Sequence, residues 1–141
     1  MRHPIHPMLV HFPVATWFIS TLGDIASLFT GGQVGWVAGV LLAIGTVTAL
    51  LAMVAGLMEL GKIDQQSPAM KIANQHMMLM MTSWSFYAIS LFLRLEENHL
   101  IQPGAIAIAL SVAGLITLCI GGWMGGKLVY EYGVGIRSNQ S

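Results

Sequence analysis

The sequence predicts an all-α integral membrane protein built as a four-helix bundle. Of its 141 residues, 55% are hydrophobic and only 9% are charged, whereas a soluble domain carries about 25% charged residues. The charges also cluster, which leaves uncharged stretches of the roughly 20 residues that cross a bilayer core. Six basic and six acidic residues cancel, so no basic surface for nucleic acid is indicated. We therefore expect one membrane domain whose main partner is the lipid bilayer.

Four apolar segments of suitable length follow one another along the chain. Only Thr30-Gly31-Gly32-Gln33 separates the first two, which requires an antiparallel helical hairpin. Ser67 and Pro68 are typical of an N-cap and a first helical position. The single cysteine, Cys119, excludes an internal disulfide and is expected to be a small buried side chain. We place the helices at roughly 7–29, 34–58, 68–95 and 104–127, followed by a short C-terminal tail.

The loop charges predict the orientation of the bundle. Four spans place both termini and the second loop on one side of the membrane. The other side carries a single basic residue, Arg94. By the positive-inside rule, both termini are therefore expected to be cytoplasmic, as in a multi-pass protein of the bacterial inner membrane. The basic residues on the terminal side are Arg2, Lys62, Lys71, Lys127 and Arg137.

The opening segment HPIHPMLVHFP, from His3 to Pro13, predicts a polar pocket at the start of the first helix. Pro13 removes a backbone donor and frees a carbonyl near Leu9. Within a membrane such a break is tolerated only where protein or water satisfies it. His6 and His11 are five residues apart, about 140° around an ideal helix, so they need not share a face.

Several ligand-capable side chains are expected at the same membrane level as this pocket. Helices one and three run in the same direction, so we predict that His11 and His76 face each other across the bundle. The remaining candidates at this level are His6, Glu59, Lys127 and Tyr130.

Asp24 is an intramembrane acid at the other end of the first helix, about 20 Å from His11 along the axis. Acidic residues within spans are usually paired or functional. We expect Asp24 to reach the outer interface or to pair with a neighbouring helix, with Arg94 as a candidate partner.

Two end motifs, HPMLVHFP and GGWMGGKLVYEYGVGI, resemble the small four-helix bacterial membrane proteins of the domain of unknown function 2231 family. Asp24, the glycine-rich second span and the Ala73–His76 entry to the third span add to the resemblance, whereas Glu59 stands where an aspartate is expected. The resemblance implies a four-helix membrane fold and a redox setting. The matching positions are His6, Pro7, His11, Pro13, Asp24, His76, Gly125, Gly126, Leu128, Val129 and Tyr130.

We interpret the pocket first as the site of a b-type haem in a membrane electron-transfer protein. Imidazoles are suitable axial ligands, and His11 and His76 would supply them from different helices, with His6 as the substitute. Arg2 or Lys127 would meet the propionates. Covalent attachment is not expected, because no C-x-x-C-H motif is present.

Two alternatives remain open. A metal site would use His3, His6, His11, His76 and Glu59 for Zn²⁺, or His76 and Met80 on one helical face for Cu(I). A non-catalytic subunit would use its glycine faces to bind redox partner proteins or a second copy. A hydrolase is not expected, because no nucleophile motif such as G-x-S-x-G is present, and the sequence leaves other enzymatic activity open.

Overall fold

The structure is a computed structural model and describes residues 5–135. It confirms the predicted all-α bundle, in which four long helices account for most of the chain. A short helix precedes them and a two-stranded antiparallel hairpin lies between the last two. The elements are α1 Ile5–Leu9, α2 His11–Thr30, α3 Gly32–Leu60, α4 Pro68–Phe92, β1 Leu95–Glu96, β2 His99–Leu100 and α5 Ala105–Tyr130.

Three helical stretches are long and apolar enough to cross a membrane: Ile5–Thr30, Gly32–Leu60 and Ala105–Tyr130. The third predicted span in chain order, α4, has 25 residues, or about 37 Å at 1.5 Å per residue, but it is more polar than these three. Part of this polarity faces inward, because Ser83 and Ser90 are fully buried and bond to α5. The bundle thus combines three strongly apolar helices with one that carries an internal polar face.

The predicted break near the first prolines is present and separates α1 from α2. Pro13 has no N–H to donate to the carbonyl of Leu9, so the helical ladder is interrupted there. The neighbouring bonds persist: Val10 N donates to His6 O at 3.1 Å, and Val14 N donates to Val10 O at 3.2 Å. The break leaves His6 and His11 on separate helices.

The third predicted helix ends at Phe92 and not near residue 95. A β-hairpin follows, in which Leu95 pairs with Leu100 and Glu96 with His99. Glu97 and Asn98 have positive φ angles of 48° and 64°, as a two-residue type I′ turn requires. Because the helix ends early, Arg94 leaves it and turns its side chain into the bundle, where it is fully buried.

The bundle consists of two similar helical hairpins. α2 packs most extensively on α3, and α4 on α5, with smaller contacts from α2 to α5 and from α3 to α4. We call residues 5–60 hairpin 1 and residues 68–130 hairpin 2. Their first helices run in the same direction, so a pseudo-twofold axis along the bundle relates the two hairpins, as in membrane proteins with parallel repeats.

Each residue of α1 and α2 corresponds to the residue 70 positions later, in α4 or just after it, as Asp24 corresponds to Arg94. Each residue of α3 corresponds to the residue of α5 that lies 69 positions later. Hydrogen bonds from side chains to backbone carbonyls repeat with the same offsets. Ser20 donates to the carbonyl of Ala38, and Ser90 donates to that of Ala107, each at 2.8 Å. Three equivalent pairs meet on the axis: His6 with His76, Trp17 with Tyr87, and Asp24 with Arg94.

The middle pair forms the centre of the core. The rings of Trp17 and Tyr87 stack with centroids 4.5 Å apart and an interplanar angle of 14°, and both side chains are buried. Each ring lies against a glycine of its own hairpin. A methyl group added to Gly45 would come within 2.6 Å of Trp17, and one added to Gly114 within 2.9 Å of Tyr87. Glycine is therefore needed at both positions for the two rings to meet.

Candidate functional site

His6 lies on α1 and points into the bundle against α3. Its Nδ1 is 2.7 Å from the carbonyl oxygen of Ala52. A carbonyl only accepts, so Nδ1 carries the proton and donates it. A methyl group on Gly56, one turn further along α3, would lie 3.0 Å from Cε1 of His6. Gly56 thus provides the space in which the imidazole rests on the α3 backbone.

His76 on α4 has the same environment in hairpin 2. Its Nδ1 donates to the carbonyl oxygen of Gly121 at 2.8 Å. A methyl group on Gly125 would lie 3.1 Å from Cε1 of His76. Ala52 and Gly121 are equivalent positions, as are Gly56 and Gly125. Each histidine is therefore held by a backbone carbonyl and a glycine at equivalent positions of the neighbouring helix.

The two imidazoles meet near the end of the bundle that carries α1 and the α3–α4 loop. Their ring centroids are 6.5 Å apart and their planes are at 86°. In a neutral imidazole whose Nδ1 carries the proton, Nε2 has a free lone pair. Within residues 5–135, the ring hydrogen bonds of His6 and His76 use Nδ1 only. Fixing Nδ1–H on a backbone carbonyl is the usual way in which proteins orient a histidine that ligates metal through Nε2.

The prediction that His11 faces His76 is wrong, and His6 takes its place. The buried face of α2 includes Pro13, Trp17 and Asp24, while His11 is exposed. Two residues before Pro13, His11 projects about 200° around the helix from that face. His6 is seven residues before Pro13 and continues the buried face. Two features of the sequence identify His6. It lies seven residues, or about two helical turns, before the buried Pro13, and it lies 70 residues before His76.

Within the described residues, no hydrogen bond or ion pair joins the other residues proposed for the pocket to the histidines. Lys127 is 3.5 Å from Glu131 and lies 5.8 Å from the centre of the Trp123 ring. Tyr130 is 88% exposed, and Glu59 is half-buried near the end of α3. Among the described residues, no group of three or more His, Cys, Asp or Glu side chains could hold a metal ion. A zinc site of several such ligands is therefore not assembled there. Arg2, His3 and Arg137 lie outside the described residues.

The expected partnership of Asp24 is present at the opposite end of the bundle. Its carboxylate accepts a hydrogen bond from Nη2 of Arg94, and both side chains are fully buried. Ser111 donates to the second carboxylate oxygen at 3.1 Å and also contacts Ser90 at 2.9 Å. Residues from both hairpins thus enclose a neutral ion pair on the axis. Such a pair avoids the penalty of a lone charge in the membrane.

The comparisons with known proteins bear on the family alone. No curated protein and no solved structure matches the chain. One family model does match, over residues 2–138, and its description is predicted membrane protein (DUF2231). Since the match covers nearly the whole chain, this protein belongs to the DUF2231 family of predicted membrane proteins.

Proposed function

We propose that the protein is a membrane electron-transfer protein that binds a b-type haem between His6 and His76. One observation carries this proposal: two histidines from different hairpins face each other, each with Nδ1–H fixed and Nε2 free. Imidazoles are among the side chains that hold haem iron in proteins. Equivalent residues on a pseudo-twofold axis would supply one such ligand from each hairpin.

The separation of the rings leaves both histidines available as ligands. Their centroids are 6.5 Å apart, and each would hold the metal through Nε2 while its Nδ1–H stays on a backbone carbonyl.

The haem would supply one-electron chemistry, and the protein would set its ligands and surroundings. His6 and His76 would hold the iron. The carbonyls of Ala52 and Gly121 would fix both rings in the ligating tautomer and increase their basicity. Gly56 and Gly125 would keep each imidazole close to the backbone. The site would lie near the cytoplasmic face if the loop charges orient the bundle as predicted. A redox partner protein would approach there.

The test is a visible spectrum of the purified protein from haem-replete cells, oxidised and after dithionite reduction, with a pyridine haemochrome assay. The proposal predicts a Soret band, a sharp reduced α-band and about one haem b per chain. A colourless protein would contradict it. Elemental analysis of the same sample would then report any bound metal.

Copper(I) is a second candidate, which Met80 favours. Its thioether end lies against Gly121, whose carbonyl holds His76. Thioether and imidazole ligands suit Cu(I), so His6, His76 and Met80 would hold the ion. About one copper per chain in a haem-free preparation, lost in Met80→Leu and His76→Ala, would favour this function. Retention of the copper in both variants would exclude it.

A further inference from the structure

The interface between hairpin 1 and hairpin 2 is less extensive than the packing within either hairpin. It is also open at its α2–α5 edge, where an apolar groove remains. Cys119 lies in this groove and is exposed, contrary to the sequence expectation of a buried side chain. Few contacts therefore join the hairpins, and the residues on the pseudo-twofold axis are prominent among them.

Two of the three axial pairs would permit two like hairpins to associate. His6 and His76 are the same type of residue. Trp17 and Tyr87 are both aromatic rings, and each rests against a glycine of its own hairpin. Two copies of hairpin 1, or two copies of hairpin 2, would therefore bring similar groups together at these two levels. Neither pair distinguishes strongly between a like and an unlike hairpin.

The third axial pair does distinguish between them, because its members carry opposite charges. Two copies of hairpin 1 would place one Asp24 carboxylate against another, and two copies of hairpin 2 would place one Arg94 guanidinium against another. Both side chains are fully buried, so water could not screen the repulsion. Like charges brought together at an interface disfavour the wrong partner strongly.

Two neighbouring hydrogen bonds also require unlike hairpins. Ser111 of hairpin 2 donates to the acidic member of the pair at 3.1 Å, whereas its equivalent in hairpin 1 is Leu42. Thr21 of hairpin 1 contacts the hydroxyl of Tyr87 at 3.0 Å, and its equivalent in hairpin 2 is Leu91. Leucine has no polar group, so two like hairpins would lose both bonds.

We propose that the Asp24–Arg94 pair selects the partner at this interface, so that hairpin 1 binds hairpin 2, from its own chain or from a second copy, and not a like hairpin. In the wild type the partner comes from the same chain, because residues 61–67 tether the hairpins and raise their effective concentration. These seven residues extend to about 23 Å, whereas packed helices are about 8–10 Å apart. The tether therefore permits exchange with a second copy. The proposal does not rest on the haem.

The test coexpresses two full-length variants that carry different affinity tags. Asp24→Arg has arginine on the axis in both hairpins, and Arg94→Asp has aspartate in both. Neither chain can form an opposite-charge pair by itself, whereas hairpin exchange between them gives one native pair and one reversed pair. We expect a one-to-one complex in detergent. Copurification should be at least about tenfold above that of two differently tagged copies of the same variant.

Two differently tagged wild-type chains should also copurify only at the background level, since each closes on itself. Asp24→Lys with Arg94→Glu repeats the design with side chains of other lengths, which separates a failure of fit from a failure of charge selection. No complex from either combination would overturn the proposal, as would equal copurification of two copies of Asp24→Arg. A monomer as stable as the wild type from either single variant would also overturn it.

Discussion

At the residue scale, most of the buried polar side chains of the bundle have a partner that the membrane cannot supply. His6 and His76 donate to backbone carbonyls, and Asp24 pairs with Arg94. The remaining donors of Arg94, Nε and Nη1, are buried without a partner within the described residues. The contact between the imidazoles of His6 and His76 and the Asp24–Arg94 pair join the two hairpins at the two ends of the axis, about 27 Å apart along the helix from His6 to Asp24.

The Asp24–Arg94 pair should contribute strongly to stability. Asp24→Asn leaves the guanidinium of Arg94 buried without a counter-charge, which costs about 3–5 kcal/mol. We expect a large drop in the free energy of unfolding, measured by denaturant titration in detergent. The double variant Asp24→Asn/Arg94→Gln removes both charges and should recover part of the loss. A single variant as stable as the wild type would contradict the buried pair.

Gly125 should control the position of His76. In Gly125→Ala the new methyl group lies 3.1 Å from Cε1 of His76, so the imidazole must shift by a few tenths of an ångström. We expect a displaced or weakened Soret band in the haem-loaded protein. Gly126→Ala is the control, since its methyl group meets only Tyr130, at 4.0 Å. It should leave the spectrum unchanged and stabilise the helix by up to about 1 kcal/mol. Identical spectra for the two variants would contradict the packing described.

At the element scale, the four long helices could be predicted from hydropathy, and their neighbours in space could not. The breaks at Pro13 and Gly31 followed from local chemistry, because each residue limits its own backbone. The end of α4 at Phe92 was missed because Leu93 and Leu95 continue the apolar pattern. The left-handed Glu97 and Asn98 then form a turn that hydropathy does not signal.

Serine hydroxyls of α4 donate to backbone carbonyls of α5, and the loss of one such bond should lower the free energy of unfolding. Ser83→Ala removes the buried bond from Ser83 Oγ to Gly114 O, which is 2.8 Å long. Interhelical bonds in membranes contribute about 0.6 kcal/mol on average and at most about 1.7, so we expect a loss in that range. Ser85 is exposed and bonds within its own helix, so Ser85→Ala should change the unfolding free energy much less. Equal losses would argue against the interhelical role.

At the scale of the whole molecule, the site is formed by symmetry between two hairpins, which a reading of single helices does not reveal. Depth alone favours His11 as the partner of His76, since both precede long apolar runs. Depth does not fix the face of a helix, and His11 lies on the exposed side of α2. The 70-residue offset, visible in His6/His76 and Asp24/Arg94, carries the missing information, because it identifies residues at one level on equivalent faces.

The central claim is that His6 and His76, contributed by equivalent hairpins, form one ligand pair. The most direct measurement compares the visible spectra of His6→Ala, His76→Ala and His11→Ala with that of the wild type, at equal protein content. We predict that the first two lose the Soret band or shift it, while His11→Ala keeps the wild-type spectrum. Loss of the band in His11→Ala with a normal spectrum in His6→Ala would contradict the account.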